Sequence, residues 1–83
     1  MEFTLSRHAL DTLREREILL RWVTETMSNP EHLESDPGDA QLAHALKAIP
    51  EFGGRVLRVI YNRDRQPVHV VTAFFDRAMK GKL

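Results

Sequence analysis

The residues of this chain that could do chemistry are cations and imidazoles rather than nucleophiles. Twelve lysines and arginines and four histidines (His8, His32, His44, His69) accompany no cysteine at all. That excludes a thiol nucleophile, a disulfide framework and every cysteine-based zinc or iron–sulfur site. No two histidines stand four apart around a glutamate as a helical zinc site requires, so neither metal nor cofactor is expected. Gly53-Gly54 follows Phe52 and runs into a strand-like segment, and so lacks the helix N-terminus that cradles phosphate. There is no Gly-x-Ser-x-Gly elbow, and Ser6 reads as a helix cap rather than a nucleophile. What remains is Lys47, Arg58 and His69 with Arg55, then Arg77 and Lys80 beyond the last strand, and His8 in the first turn of the first helix. Such groups can bind a phosphodiester, offset the charge that develops on it and hand a proton to the leaving oxygen. RNA supplies its own nucleophile, the ribose 2′-hydroxyl, so this chemistry needs neither a metal nor a protein nucleophile. The plainer account is that Arg58 and His69 face solvent, the arginine stem covering Val56 and Ile60, and that His8 bonds nearby backbone or water.

Those side chains must be positioned by a small set of elements. Phe3-Thr4-Leu5 reads as a short strand, with Ser6 as the cap of a following helix. Ala9, Leu10 and Leu13, then Ile18, Leu19, Trp22, Val23 and Met27, recur at helical spacing over residues 6–29. This makes two helices or one bent helix, stopped at Ser28-Asn29-Pro30 because the residue before proline is pushed out of the helical region. Glu31 to Asp39, with Pro37-Gly38 and four carboxylates, reads as an acidic, turn-rich connector. Residues 40–49 fit a helix through Leu42, Ala45, Leu46 and Ile49, and fit a strand through alternation; periodicity leaves both open. Residues 55–61 and 68–75 are β-branched and aromatic, and the polar run between them predicts an antiparallel hairpin. A four-residue loop would pair Tyr61 with Val68, Val59 with Val70 and Leu57 with Thr72 on a face packed against the helices. The other face would then pair Ile60 with His69, Arg58 with Val71 and Val56 with Ala73, bringing Arg58 diagonally next to His69. The order predicts an α+β fold with helices on one sheet face.

Eighty-three residues make a single domain, spanning 1–83, with a thin core. Hydrophobic content of 42% and charged content of 29% exclude disorder by composition. The start Met1-Glu2-Phe3-Thr4-Leu5-Ser6 lacks the marks of a signal peptide, and no window reaches 18 apolar residues; a cytoplasmic protein without a membrane partner is expected. The formal net charge is zero, but its distribution is uneven. Residues 1–41 carry four cations and nine carboxylates, residues 42–83 eight cations and three, a split that hints at a polyanion site if it survives folding.

Ser6-Arg7-His8-Ala9 opening a helix, with Arg14-Glu15-Arg16 after it, resembles the start of a widespread bacterial family of small uncharacterised domains. The stretches from Ile49 to Asn62 and from Val70 to Arg77 look like that family's C-terminal strands. The family is grouped with the RelE/ParE and BrnT toxins of toxin–antitoxin systems. The resemblance implies a RelE-like β-α-α-β-β-β layout, two N-terminal helices packed on one face of an antiparallel sheet, which makes residues 40–49 a strand. It also implies a metal-independent endoribonuclease, acting on RNA that includes ribosome-bound messenger, and held inactive by an antitoxin protein; ParE-like members inhibit gyrase instead. Carried over by position, Lys47, Arg58 and Arg77 match its basic strand and post-strand residues, and His8 its histidine. The chain departs from it in being neutral, in having one cation at Lys47 where such toxins often place several, and in Glu17, which stands where the family commonly has glycine.

Two functions follow. In the first, Lys47 and Arg58 bind and neutralise the scissile phosphate, His8 or His69 moves protons, and Arg55, Arg77 and Lys80 hold the rest of the RNA. In the second, the domain is a non-catalytic interaction module whose exposed sheet face offers Val56, Ile60, Val71 and Phe75 to a protein partner. Neutral charge and such a face are also compatible with a homodimer.

Overall fold

A computed structural model describes residues 1–83. The order is β1 (Phe3–Leu5), α1 (Arg7–Glu15), α2 (Leu20–Ser28), β2 (His32–Ser35), β3 (Leu42–Ile49), β4 (Arg55–Asn62) and β5 (Val68–Phe75), with short 3₁₀ turns at Pro50–Phe52 and Arg77–Met79. The strands form one sheet in the order β1-β5-β4-β3-β2. The protein is thus α+β, two helices packed on a five-stranded sheet.

Both helices form within the residues that the apolar spacing marks, although Ile18 and Leu19 lie in the turn before α2, and Leu10 and Leu19 are exposed. Ser6 caps α1, its Oγ accepting from the Ala9 amide at 2.9 Å and donating to the Val71 carbonyl at 3.0 Å. The chain leaves α1 through a Schellman closure: Ile18 N–H donates to Leu13 O, Glu17 N–H donates to Arg14 O, and Glu17 sits at φ 55°. Leu13 and Ile18, the two ends of that closure, are both buried. Trp22, Val23, Thr26 and Met27 form the buried face of α2. They meet Ala45 and Ile49 of β3, Leu57 and Val59 of β4, and Val70 and Ala73 of β5 in one core.

Four expectations need correction. The sheet is mixed rather than antiparallel, because β1 pairs in parallel with β5, Phe3 opposite Val68 and Leu5 opposite Val70. The acidic connector contains a strand: β2 pairs with β3, His32 opposite Leu46 and Glu34 opposite His44. All four residues of β2 are exposed, so they show none of the alternating burial from which a strand is read. The layout is accordingly β-α-α-β-β-β-β. Residues 42–49 are a strand in spite of their alanines, since β3 lies between β2 and β4 and its backbone pairs on both sides.

The hairpin register also differs. Tyr61 lies opposite Val70 and Asn62 opposite His69, whereas Ile60 lies opposite Thr72 and Leu57 opposite Phe75. Val71 is the extra residue of a β-bulge, and it reverses the alternation of β5. Val68 and Val70 face the helices before it, Ala73 and Phe75 after it. Arg58 therefore lies opposite Phe74, four steps along β4 from Asn62, the partner of His69, or about 13 Å at strand rise. The two are not diagonal neighbours.

Candidate functional site

The predicted residues divide between several places. Lys47 lies opposite Leu57 and Arg55 opposite Ile49, so both stand on the helix-packed face and not beside Arg58. His8 is exposed near the start of α1 and contacts Thr12 Oγ1 through Nε2 at 3.4 Å. His69 lies where β1 meets β5, its Nδ1 2.7 Å from Thr4 Oγ1. The apolar members of the supposed open face are also redistributed: Val56 is fully buried, and Phe75 packs on the helix side against Trp22 and Phe52.

Arg58 is the centre of a polar network on the face away from the helices. Its Nε and Nη2 donate to Asp76 Oδ2 at 2.9 and 2.8 Å. Its Nη1 donates to Glu34 Oε1 and, at 2.7 Å, to His44 Nδ1. Guanidinium nitrogen can only donate, so His44 Nδ1 is the acceptor and its proton resides on Nε2, which donates to Asp36 Oδ1 at 2.7 Å. Asp36 Oδ2 accepts from the amides of Gly38 and Asp39. Both nitrogens of His44 are thereby committed. The bond from Arg58 holds the Glu34 carboxyl below its ordinary range, and the bond from His44, with help from Gly38, does the same for Asp36. Partial burial works against the Arg58 charge, but the bonds to Glu34 and Asp76 outweigh it and raise its pKa. A guanidinium with this many partners is not free to bind a phosphate.

Four cations without an ion pair gather elsewhere. A cavity of about 640 Å³ opens at the end of β5, lined by Arg16, Ile18, Phe52, Arg55, Phe74, Phe75, Asp76, Arg77 and Lys80. It holds three of the predicted residues, Arg55, Arg77 and Lys80, and adds Arg16. None of these four cations forms an ion pair; the pairs of the protein use other residues. Each lining residue is delivered by a feature of the fold. The Schellman closure places Arg16 and Ile18, the 3₁₀ turn after β3 places Phe52, and the turn after β5 places Arg77 and Lys80. Strand β1 pairs only with Val68–Val70, so no strand closes β5 beyond them on this side.

The aromatic rings of the cavity are not equivalent. Phe52 stacks on Trp22 with centroids 5.3 Å apart, leans on Phe75 at 5.0 Å, and carries the Arg55 guanidinium 4.6 Å from its ring centre. Glu51 steadies this cluster, its Oε1 accepting from the Trp22 indole and its Oε2 from Arg21. Those bonds, Arg21 first and Trp22 second, lower the Glu51 pKa. Phe74 is as exposed as Phe52, 38% against 37%, but has no ring partner. The site thus combines four unpaired cations with one unoccupied aromatic ring, the pairing that single-stranded nucleic acid uses for phosphate and base.

Sequence reasoning missed Arg16, Phe52 and Phe74 here, and Glu34, His44 and Asp76 in the Arg58 network. The signal for the first set was present: Phe52-Gly-Gly-Arg55 and Phe74-Phe75-Asp76-Arg77 interleave aromatics and cations at the same end of the β4–β5 hairpin.

The family model described as domain of unknown function DUF4258 matches residues 5–75. The chain belongs to this family. The match runs from the end of β1 to the end of β5 and so takes in both helices and every later strand. Arg77 and Lys80 of the cavity lie just beyond the part of this DUF4258 domain that the model covers. No curated protein and no solved structure matches the chain. No helix is long and apolar enough to cross a membrane.

Proposed function

We propose that this DUF4258 domain is toxin-like and binds single-stranded RNA in the cavity at the end of β5. The observation that carries this reading is the set of four cations without ionic partners around the open ring of Phe74. Arg16, Arg55, Arg77 and Lys80 would take phosphates and Phe74 a base. Val56 is buried and Phe75 packs on the helix side, so two of the four apolar residues of the interaction-module reading are withdrawn from the open sheet face, which favours RNA over that reading.

Cleavage adds one step to binding. The 2′-hydroxyl of the bound strand gives its proton to solvent water and attacks the adjacent phosphorus, the bond to the 5′ oxygen breaks, and a 2′,3′-cyclic phosphate and a 5′-hydroxyl are left. Arg55 and Arg77 would offset the charge on the phosphoryl oxygens. No imidazole lines the cavity, so Lys80 is the group suited to protonate the leaving oxygen, rather than His8 or His69.

The test is fluorescence anisotropy of an end-labelled, unstructured RNA 12-mer with the parent chain and an Arg55→Ala/Arg77→Ala variant, over a salt series. Four phosphate contacts predict a log–log salt slope of about −2.8 and two contacts about −1.4, at about 0.7 per phosphate on a single strand. Equal slopes for the two proteins would remove the cavity as the RNA site. The same RNA run on a denaturing gel after incubation with chelator reads cleavage: cyclic-phosphate ends lost in Lys80→Ala support the endoribonuclease step, and intact RNA at saturating protein refutes it.

A further inference from the structure

One carboxylate, Asp76, lines an otherwise cationic cavity, and what lies behind it is Arg58. The register puts Arg58 opposite Phe74, so the guanidinium lies next to the cavity without lining it. Two of its nitrogens converge on Asp76 Oδ2, at 2.9 and 2.8 Å, with side-chain exposures of only 12% for Arg58 and 18% for Asp76. The other oxygen of Asp76, Oδ1, accepts from the Ala78 amide at 3.0 Å and caps the 3₁₀ turn that carries Arg77. The Asp76 amide is in turn anchored to Val56 O at 2.8 Å.

We propose that Arg58 is a positioning residue for the cavity: it cancels the charge of Asp76 and, through Asp76, holds the Arg77–Met79 turn so that Arg77 and Lys80 face the ligand. The inference deepens the RNA-binding reading and rests on it. An unpaired carboxylate in the wall would repel an incoming phosphate, whereas a carboxylate paired with Arg58 does not. On the far side, Nη1 is held by Glu34 and by His44, itself fixed by Asp36, so strand β2 and the chain after it brace the guanidinium. Acidic residues of the first half thus support a basic site built mostly from the second half without touching its ligand.

The experiment compares Arg58→Gln, Asp76→Asn and the double variant for binding of the labelled RNA 12-mer at 50 mM potassium chloride. Arg58→Gln is expected to weaken binding about tenfold, since truncating one partner leaves the other charge unpaired. Adding Asp76→Asn to it removes that charge and should restore binding to within about threefold of the parent. A double variant no tighter than Arg58→Gln, or an Arg58→Gln protein that binds like the parent, overturns the proposal. Amide hydrogen exchange at Ala78 tests the positioning without RNA: it should quicken at least tenfold in Arg58→Gln, and unchanged exchange refutes that half. Should Arg58→Gln not fold, Arg58→Lys replaces it; lysine keeps the charge but loses the fork, so binding should hold within about threefold while Ala78 exchange still quickens, and the opposite pattern overturns the proposal. If Arg55→Ala/Arg77→Ala leaves binding intact, the RNA site itself is wrong, and Ala78 exchange still judges the role of Arg58.

Discussion

Phe52 and Phe74 have nearly equal exposure, line the same cavity and differ in one respect: Phe52 has ring partners and Phe74 has none. Leucine at each position should therefore give opposite results. At Phe52 the substitution forfeits contacts with Trp22 and Phe75, worth about 0.5–1.5 kcal/mol each, and the cation–π contact with Arg55, worth about 0.5–1. A total of about 2–3 kcal/mol corresponds to a fall in Tm of roughly 10–20 °C for a domain of this size. At Phe74 no such contacts exist, and leucine keeps most of the apolar volume, so the cost should stay below about 1.5 kcal/mol. RNA binding should respond in the reverse order. A base stacked on an aromatic ring contributes about 1–3 kcal/mol, so Phe74→Leu should weaken binding about tenfold or more. Stacking releases no counterions, so the loss should be the same at every salt concentration. Phe52→Leu, still folded at 20 °C, should bind within about threefold of the parent. Thermal melts by circular dichroism and anisotropy with the RNA 12-mer read both effects on the same samples. Undiminished binding by Phe74→Leu would refute the stacking role, and an unchanged Tm in Phe52→Leu would refute the structural one.

Further expectations concern the scaffold. Glu17→Gly relieves a left-handed backbone that costs an ordinary residue about 1–2 kcal/mol, against roughly 0.5–1 for the extra freedom of glycine when unfolded, so urea denaturation should show a net gain of about 0.5–1 kcal/mol. Ser6→Ala removes the cap of α1 and the bond to Val71, and should lower stability by about 1–2 kcal/mol in the same assay. Glu34, Asp36 and Glu51 all have lowered pKa values, so the unfolded chain takes up protons at these sites before the native protein does. Their contribution is complete above the unfolded values of 4.5 and 3.8 and is lost as pH falls through the lower native ones. Tm should hold from pH 7 to about pH 5 and then fall; a flat profile down to pH 3 would contradict the bonding described for these carboxylates.

Local signals decided much of this protein. The Ser6 cap, the apolar stripes of both helices, the proline stop after α2 and the two β-branched runs are written in neighbouring residues, and each formed where those residues place it. The cationic and aromatic character of the second half was equally legible, and three of the cavity's cations could be named from it. Other features depend on partners distant in the chain. Strand β2 exists because β3 offers it a hydrogen-bonding edge, although its exposed residues carry no alternating pattern. Residues 42–49 became a strand by lying between two others, where their unpaired backbone groups would be costly in any other form. The bulge at Val71 decided the most, because a single extra residue exchanges the two faces of a strand. It turned Phe75 inward and Phe74 outward, and together with a register two residues away from the four-residue-loop pairing it placed Arg58 beside Asp76 instead of near His69. Side-chain types and spacing along one strand are local properties, but which of them meet is set by register across the sheet, and only tertiary packing determines that.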